Sequence, residues 1–274
     1  MAFIGGGVMG EAMIRGVLDK HLVPASRISV TGPRRERRAE LAKLFGIAAL
    51  ASNAEAAKQA DVVVLSVKPQ VLPTVMKELR GKLRADQLVI SIVAGANMRA
   101  LETGLAHPTI VRAMPNTPAQ VGMGVTAWYP SPAVTAEQRE HTKSIVAALG
   151  EELMVEDESY IDMATALSAT GPTYVFLLME ALVDAGVHLG FSRRVAEELV
   201  LRTVEGSALF ARKSGRHLAE LRNMVTSPGG TSAAAIYQLE KGSLRTVLSK
   251  AVYAAYQRAT ELGATAERKV TQDE

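Results

Sequence analysis

The chain has 274 residues, no cysteine, a formal net charge of +3 and 48% hydrophobic residues, which is enough for a large buried core in one or two domains. The lack of cysteine excludes a disulfide framework, a thiol nucleophile and a cysteine-ligated metal, and it is typical of a reducing cytoplasm. The five histidines show no ligand spacing, so we predict no metal site. Acidic and basic residues are interleaved, which gives no indication of a nucleic-acid partner.

The order of the apolar residues bears on membrane association. The longest apolar run, TYVFLLMEALVDAGV, is interrupted by Glu180 and Asp184, so we expect no membrane-spanning helix. The N-terminus begins in a short apolar strand and lacks the basic region and cleavage site of a signal peptide. We therefore expect a cytoplasmic protein without a membrane partner.

The first half of the chain alternates continuous apolar runs with segments of helical composition, such as GEAMIRGVLDK and ERRAELAKLF. The runs are AFI (2–4), RISVT (27–31), DVVVLSV (61–67), QLVISIV (87–93) and TIVRAM (109–114). Strands that are buried on both faces have this composition, and the alternation with helices indicates a parallel sheet with right-handed crossovers. We predict an α/β fold, with a Rossmann-type doubly wound sheet in a dinucleotide-binding domain over residues 1–156.

The second half has no such strand signals and instead has the apolar spacing of helices. The predicted helices cover 158–168, 172–189, 193–213, 231–240 and 243–262. They predict an all-helical domain over 157–264, followed by a frayed tail over 265–274. The segment ELVLRTVEGSALFARK is apolar around much of its circumference, so we expect helices of a second subunit to cover it in a homo-oligomer.

A glycine motif opens the chain in FIGGGVMGEAM. Gly5, Gly7 and Gly10 form G-x-G-x-x-G directly after a strand and at the start of a helix, which is the context typical of dinucleotide binding. The first glycine permits the tight turn, the second allows a pyrophosphate to approach the backbone, and the third allows the helix and strand to pack closely. Val8 and Met9, within the motif, are expected to border the cofactor. The alternative is a glycine-rich turn without a ligand.

The end of the second strand bears on which dinucleotide is bound. NAD-binding domains place Asp or Glu there to hold the ribose 2′-hydroxyl, whereas this chain reads VTGPRRER and has no acid before Glu36. The Thr31 hydroxyl and the guanidinium groups of Arg34 and Arg35 suit a 2′-phosphate. We therefore predict NADPH as the cofactor, with NADH as a weaker second. The alternative for the basic cluster is a solvated helix start.

Further loops are expected at the carboxyl ends of the strands, where open α/β sheets bind ligands. VKPQ (67–70), VAGA (93–96) and MPNTPA (114–119) place Gly, Pro or Asn at these ends, and together they predict a nicotinamide pocket. Late in the chain, TSPGGTSAAAIYQLE (226–240) combines a turn with a helix start. Its simplest interpretation is that Thr231 or Ser232 caps the helix.

These motifs, in this order and over residues 3 to about 262, resemble pyrroline-5-carboxylate reductase. The resemblance implies a Rossmann domain followed by a helical dimerisation domain, with NAD(P)H as hydride donor. The implied reaction is the reduction of 1-pyrroline-5-carboxylate to L-proline, the last step of proline biosynthesis. The implied assembly is a homodimer or a ring of dimers. In this family the site forms between the Rossmann domain of one subunit and the helical domain of its partner.

The resemblance also implies roles for individual residues. Asn53 matches a position that helps to hold the adenosine ribose or its phosphate. The positions that match the surroundings of the nicotinamide are Val67, Lys68, Pro69, Ala94, Gly95 and Asn116. The positions that match the substrate loop are Ser227, Gly230, Thr231 and Ser232. Ser227 and the backbone N–H groups of Gly230 and Thr231 suit a carboxylate, and the Ser232 hydroxyl is the candidate catalytic group at the ring nitrogen.

The chain departs from the family pattern at two places. ATGPTYV stands where the family usually has SGSGPAYV, and Ser232 stands where it usually has threonine. Both changes keep a small or hydroxyl residue, so we expect activity to survive.

Alternatives to this assignment come from two classes. A β-hydroxyacid dehydrogenase shares the layout but requires a lysine early in the helical domain as acid/base, and no lysine occurs between Lys143 and Lys213. A non-catalytic NADP-binding regulator is the other alternative. Glu180 and Asp184 are one helical turn apart, but we expect a structural role for Glu180 and a solvated Asp184 rather than an acid/base pair.

Overall fold

The computed structural model describes residues 1–272, with side chains described through residue 265. The described chain divides into two compact units. The first contains Met1–Gly171 together with the chain from Ala254, and the second contains Pro172–Tyr253. The predicted domain boundary after residue 156 lies in the loop between Met154 and Ser159. The domain limits stay a prediction.

The first unit is built on one sheet of eight strands with helices between them. The strands are β1 (Ala2–Ile4), β2 (Ser29–Thr31), β3 (Ala48–Ala49), β4 (Val62–Leu65), β5 (Leu88–Ser91), β6 (Ile110–Met114), β7 (Gly124–Pro130) and β8 (Gly150–Met154). The helices are α1 (Val8–Asp19), α2 (Arg35–Phe45), α3 (Asn53–Lys58), α4 (Leu72–Leu79), α5 (Met98–Leu105), α6 (Ala136–Ala147) and α7 (Ser159–Ala164). A π-helical segment, Thr165–Ala169, follows α7.

The strand order is β3-β2-β1-β4-β5-β6-β7-β8. The first six strands are parallel and have the order typical of dinucleotide-binding sheets, which reverses direction between β1 and β4. This confirms the predicted Rossmann-type fold. The prediction missed β3, β7 and β8. β3 has only two residues, β8 is GEELM with two charged residues, and β7 pairs antiparallel to β6 outside the βαβ pattern.

Helices cover both faces of the sheet, and the side chains of each strand alternate between two apolar clusters. Phe3 lies in the cluster with Met13, Leu41 and Val146 of α1, α2 and α6. Its neighbours Ala2 and Ile4 lie in the cluster with residues of α3, α4 and α5. This period of two explains why the strands read as continuous apolar runs, because every position of such a strand is buried.

A buried arginine connects the edge of the parallel sheet to α7. Arg112 on β6 is 3% exposed; its Nη1 donates to Glu158 in a very short contact, and its Nη2 donates to Asp162 at 3.0 Å. Glu158 also accepts a hydrogen bond from the Met98 backbone N–H at 2.6 Å. A buried guanidinium requires such partners, so these ion pairs hold α7 against the sheet.

The second unit is helical, as predicted. Its helices are α8 (Gly171–His188), α9 (Arg193–Ser214), α10 (Leu218–Met224), α11 (Thr231–Lys241) and the first part of α12 (Leu244–Gln272). α10 was not predicted, and α12 runs eight residues into the segment expected to fray, while Asp273 and Glu274 lie outside the described residues. Many large apolar side chains of these helices are exposed, including Leu177 at 65% and Tyr237 at 64%.

One helical stretch, Ser159–His188, is long and apolar enough to cross a membrane by length and composition. The expectation that no apolar run reaches that length is wrong by this measure, because Glu180 and Asp184 lower the hydropathy too little. A single such stretch is weak evidence, since a helix of a soluble protein that packs against other helices has the same composition.

Candidate active site

Three residues determine the shape of the glycine turn after β1. Gly5 has φ +111°, and a Cβ there would come within 2.6 Å of the Ser66 carbonyl oxygen. A Cβ on Gly10 would lie 2.6 Å from the Gly5 oxygen. The Ser66 hydroxyl donates to the Gly5 oxygen at 2.7 Å. Two of the motif glycines are therefore required by packing within the chain itself. No sequence motif identified Ser66 as a site residue, although it directly precedes the VKPQ motif.

Gly7 differs from the other two motif glycines. A Cβ at this position would meet nothing within 4 Å, so packing within the chain does not require a glycine there. Gly7 is the N-cap of α1, and no side chain caps this helix end. The exposed Val8 and the half-buried Met9 form its first turn. An open backbone at an uncapped helix N-terminus fits the phosphates of a dinucleotide, which is the role predicted for Gly7.

The predicted basic cluster divides into two pairs with different surroundings. Arg37 donates to the Gly6 oxygen at 3.0 Å and pairs with Glu11, and Arg38 donates to the Gly32 oxygen in a very short contact. The hydrogen bonds to Glu11 and Glu40 raise the pKa of Arg37. The side chains of Arg34 and Arg35 are exposed and make no hydrogen bond or ion pair among the described residues. Those two guanidinium groups therefore remain available to an anion.

Thr31 is hydrogen-bonded to another predicted cofactor residue. Its side chain is fully buried, and its hydroxyl donates to Oδ1 of Asn53 at 2.6 Å. The hydroxyl proton of Thr31 is thus already donated to Asn53, and direct contact of Thr31 with a 2′-phosphate stays a prediction. Asn53 in turn donates from Nδ2 to Glu78 at 2.6 Å. The structure thus joins two predicted cofactor residues, 22 positions apart, and adds Glu78, which had no sequence signal.

The residues predicted around the nicotinamide lie at the carboxyl ends of β4, β5 and β6. Val67 and Pro69 are half-buried, and Lys68 is exposed. Gly95 has φ +73°, and a Cβ there would lie 2.6 Å from Cβ of Leu262 in α12. Packing against α12 therefore accounts for this glycine without a ligand. The neighbouring Ala94 is half-buried beside the cluster around Met114.

Asn116 uses its amide within the chain. Its Oδ1 accepts from the Val125 N–H at 3.0 Å, and its Nδ2 donates to the Ser168 hydroxyl at 3.3 Å. The side chain connects the start of β7 to the π-helical segment. One N–H of the amide remains free to bind a ligand.

The predicted substrate loop is a turn followed by an uncapped helix. The Gly230 N–H donates to the Ser227 oxygen at 3.1 Å, and Gly229 between them has φ +70°. Proline followed by a glycine with positive φ is the signature of a type II turn. The N-cap of α11 is Gly230, and no side chain caps the helix. The expectation that Thr231 or Ser232 caps α11 is therefore wrong, because both already lie in its first turn.

The hydroxyl groups of this loop have no partners within the chain. Ser227, Thr231 and Ser232 donate and accept no side-chain hydrogen bond among the described residues. In contrast, the neighbouring Thr226 hydroxyl donates to the Arg222 oxygen at 2.6 Å. Three free hydroxyls beside a helix N-terminus form a cradle that suits a small anion.

Asp184 is exposed, as expected, and pairs at the surface with Arg193 at 2.9 Å, and Glu180 is exposed as well. A cavity of about 600 Å³ lies at the amino ends of the strands, between Met1, Ile28 and Asp61. Parallel sheets bind ligands at the opposite edge, so this cavity is not part of the candidate site.

Comparisons with known proteins agree with these features. The family model described as pyrroline-5-carboxylate reductase dimerisation matches residues 158–262. The model described as NADP oxidoreductase, coenzyme F420-dependent, matches residues 1–95. The pyrroline-5-carboxylate reductase of Pseudomonas aeruginosa is 44% identical over 263 residues, which cover 96% of each chain.

Solved structures agree over nearly the whole length. The pyrroline carboxylate reductase of Plasmodium falciparum, solved with NADP bound, superposes with a TM-score of 0.88 at 33% identity over 96% of this chain and 97% of that chain. The pyrroline-5-carboxylate reductase of Coxiella burnetii superposes with a TM-score of 0.87 at 39% identity over 95% and 97%. The resemblance inferred from the motifs is confirmed, and the chain belongs to the pyrroline-5-carboxylate reductase family.

Proposed function

We propose that this chain reduces 1-pyrroline-5-carboxylate to L-proline with NAD(P)H, preferring NADPH. The observation that carries the proposal is the set of unpartnered hydroxyls on Ser227, Thr231 and Ser232 at the uncapped N-terminus of α11. Ser227 and Thr231 are exposed and Ser232 is half-buried, so a ligand can reach all three, and a small carboxylate suits such donors at a helix N-terminus. A relative that is 44% identical over 96% of this chain bears the name of this reductase.

The first unit would hold the cofactor. The open backbone at Gly7 and the free N–H groups of the first turn of α1 suit the pyrophosphate. Asn53 is assigned to the adenosine ribose, and the unpaired Arg34 and Arg35 to a 2′-phosphate. We assign the nicotinamide surroundings to Val67, Lys68, Pro69, Ala94, Gly95 and Asn116. When bound, the reduced cofactor supplies a hydride.

The second unit would hold the substrate. The ring carboxylate is assigned to the Ser227 hydroxyl and the backbone N–H of Thr231 at the N-terminus of α11. The Gly230 N–H, which was also predicted to bind it, already donates to the Ser227 carbonyl oxygen at 3.1 Å. Neutral donors with a helix dipole suit a single negative charge. Holding the carboxylate at this point limits how the flat ring lies and exposes one face of its C=N bond.

Ser232 is assigned to the ring nitrogen. The C=N carbon accepts hydride when the nitrogen carries a proton, because the electron pair of the π bond then moves to a cationic nitrogen and neutralises it. A hydroxyl oxygen 2.7–3.2 Å from that N–H would accept its hydrogen bond and hold the protonated form. The product is a secondary amine, which takes a further proton from water.

The active assembly would be at least a dimer. The exposed apolar side chains of α8, α9 and α11 and the match to a dimerisation family support a homo-oligomer. We propose that the substrate loop of one subunit works with the cofactor-binding unit of its partner, in a dimer or a ring of dimers. Light scattering would give the number of subunits. A cytoplasmic location is likewise proposed, and cell fractionation would test it.

The experiment is an absorbance assay at 340 nm with purified protein, NADPH and pyrroline-5-carboxylate. We expect turnover with the imine and none with a β-hydroxyacid plus NADP. Turnover of the hydroxyacid alone would favour a β-hydroxyacid dehydrogenase. Cofactor binding without any turnover would favour a non-catalytic regulator. Repeating the assay with NADH and with a six-membered imine would measure both preferences.

A further inference from the structure

Asn53 lies between two partners that determine how its amide is oriented. The Thr31 hydroxyl donates to Oδ1 at 2.6 Å, and Nδ2 donates to a Glu78 carboxylate oxygen at 2.6 Å. Glu78 lies in the last turn of α4, far along the chain from both. Because a carboxylate only accepts hydrogen bonds, Nδ2 must face Glu78 and Oδ1 must face Thr31. The three side chains form a hydrogen-bond chain with one direction, from Thr31 to Glu78.

This chain of side chains lies beside the glycine turn. The Gly5 N–H donates to the Thr31 backbone oxygen at 3.2 Å. Thr31 ends β2, and Asn53 begins the helix that follows β3. Dinucleotide-binding sheets hold the adenosine ribose at these carboxyl ends and usually place an acidic residue at the end of β2 for its 2′-hydroxyl. This chain has Thr31 and Gly32 there instead.

We propose that Glu78 supplies, through Asn53, the acidic group that the end of β2 lacks, and that it is a specificity-determining residue for the cofactor. A carboxylate beside the ribose favours a 2′-hydroxyl and repels a 2′-phosphate. The unpaired Arg34 and Arg35 have the opposite effect. The balance of the two lets the site accept both NADH and NADPH. This inference rests on the proposed cofactor site.

The carboxylate of Glu78 and the guanidinium groups of Arg34 and Arg35 differ in how firmly the chain holds them. The Glu78 side chain is exposed, but its carboxylate accepts a hydrogen bond from the half-buried Asn53 amide, which restricts its position. Arg34 and Arg35 are exposed and make no hydrogen bond among the described side chains. Their attraction for a 2′-phosphate is therefore reduced by mobility and by salt. We infer that the preference for NADPH is weaker than the basic cluster by itself would indicate.

The test is Glu78→Gln, measured by calorimetric binding of 2′,5′-ADP and 5′-ADP at low salt. The substitution removes the charge and keeps the shape. We expect the ratio of the two affinities to shift toward the phosphorylated ligand by about fivefold or more, because the substitution removes the repulsion between the carboxylate and the 2′-phosphate. The same shift should appear in kcat/KM for NADPH over NADH and should shrink as salt rises.

Glu55→Gln is the matched control. Glu55 lies on α3, two residues from Asn53, is exposed, and makes no hydrogen bond with the Asn53 side chain in the described part of the chain. It should leave the affinity ratio unchanged. An equal shift in both variants would mean a general charge effect and would overturn the inference. An unchanged ratio in Glu78→Gln would also overturn it.

A double substitution tests whether Asn53 carries the effect. In an Asn53→Ala background, Glu78→Gln should change the ratio by less than half as much as in the native chain, because the pair is then uncoupled. An undiminished shift would show that Asn53 has no part in it. Wild-type protein that binds neither ligand would refute the cofactor site itself, an outcome distinct from the failure of Glu78 alone.

Discussion

Gly230 faces Ser227 so closely that a Cβ on Gly230 would lie 2.6 Å from Oγ of Ser227. The glycine thus leaves room for the serine hydroxyl beside the N-terminus of α11. The type II turn through Pro228 and Gly229 brings the two residues together. The loop therefore gives one hydroxyl a defined position next to free backbone N–H groups, which is the arrangement expected of an anion site.

Ser232→Ala should lower kcat by about tenfold to a few hundredfold. One hydrogen-bonding group beside an atom whose charge changes in the transition state can contribute that much. Ser232→Thr keeps the hydroxyl and should retain most of the activity. Steady-state kinetics of both variants would decide. Unchanged turnover in the alanine variant would remove Ser232 from the ring nitrogen.

Ser227→Ala should raise KM for the imine with little change in kcat, because binding of the carboxylate is the same before and during hydride transfer. Its effect should be smaller on an imine that lacks the carboxylate, since that compound never uses the hydroxyl. A fall in kcat alone would exchange the roles of Ser227 and Ser232.

Gly7→Ala and Gly10→Ala should separate cofactor binding from folding. At Gly7 a Cβ meets open space, so the variant should fold normally and bind NADPH at least about tenfold more weakly, because the methyl group occupies the phosphate approach. At Gly10 a Cβ would lie 2.6 Å from backbone, and overpacking of this kind costs about 1–3 kcal/mol. Urea unfolding should show the larger loss of stability in Gly10→Ala, and cofactor titration should show the larger loss of affinity in Gly7→Ala. Equal losses of the two variants in both assays would contradict this prediction.

Arg112→Ala should destabilise the protein by about 3 kcal/mol, because it leaves Glu158 and Asp162 without their buried partner. The control is Arg193→Ala, which breaks the exposed pair with Asp184 and should cost less than about 1 kcal/mol. Equilibrium urea denaturation measures both. A similar small loss in the two variants would show that α7 does not depend on Arg112.

Glu102→Gln should stabilise the protein at neutral pH and not in acid. Burial, followed by the nearby Glu158 carboxylate, raises the pKa of Glu102. A carboxyl group with a raised folded-state pKa stabilises the fold below its unfolded pKa, and that stability is lost as the pH rises. The glutamine variant should gain about 0.5 kcal/mol at pH 7, and the gain should vanish below about pH 4. A gain independent of pH would exclude this cause.

Local patterns were sufficient for five of the six parallel strands β1 to β6, all except the two-residue β3, and for most helices. Phe3 and Val64 belong to runs that are apolar at every position, and such runs bury both faces of a sheet whatever the connections are. The strand β8 could not be predicted, because its residues GEELM carry no such pattern and it forms only by pairing with β7. α12 was predicted too short, because its last turns lack the apolar periodicity used to find helices.

For the candidate site, sequence motifs identified the glycine turn and the SPGGTS loop, because backbone geometry of this kind needs glycine and proline at fixed spacing. They did not identify Ser66 or Glu78, since a serine or glutamate that hydrogen-bonds within the chain looks like any other polar residue. They also gave no indication that the Thr31 hydroxyl donates to Asn53.

The amino-acid sequence by itself determined the order of the two folds, the glycine turn and the family, because these depend on local spacing of apolar residues, glycine and proline. Tertiary structure alone decided which polar groups are already paired and which remain free for a ligand. Arg37 and Arg38 hold backbone oxygens while Arg34 and Arg35 do not. Hydrogen bonds between distant segments depend on positions in space. The four arginines of this cluster are of one residue type and differ only in whether their side chains reach a backbone oxygen.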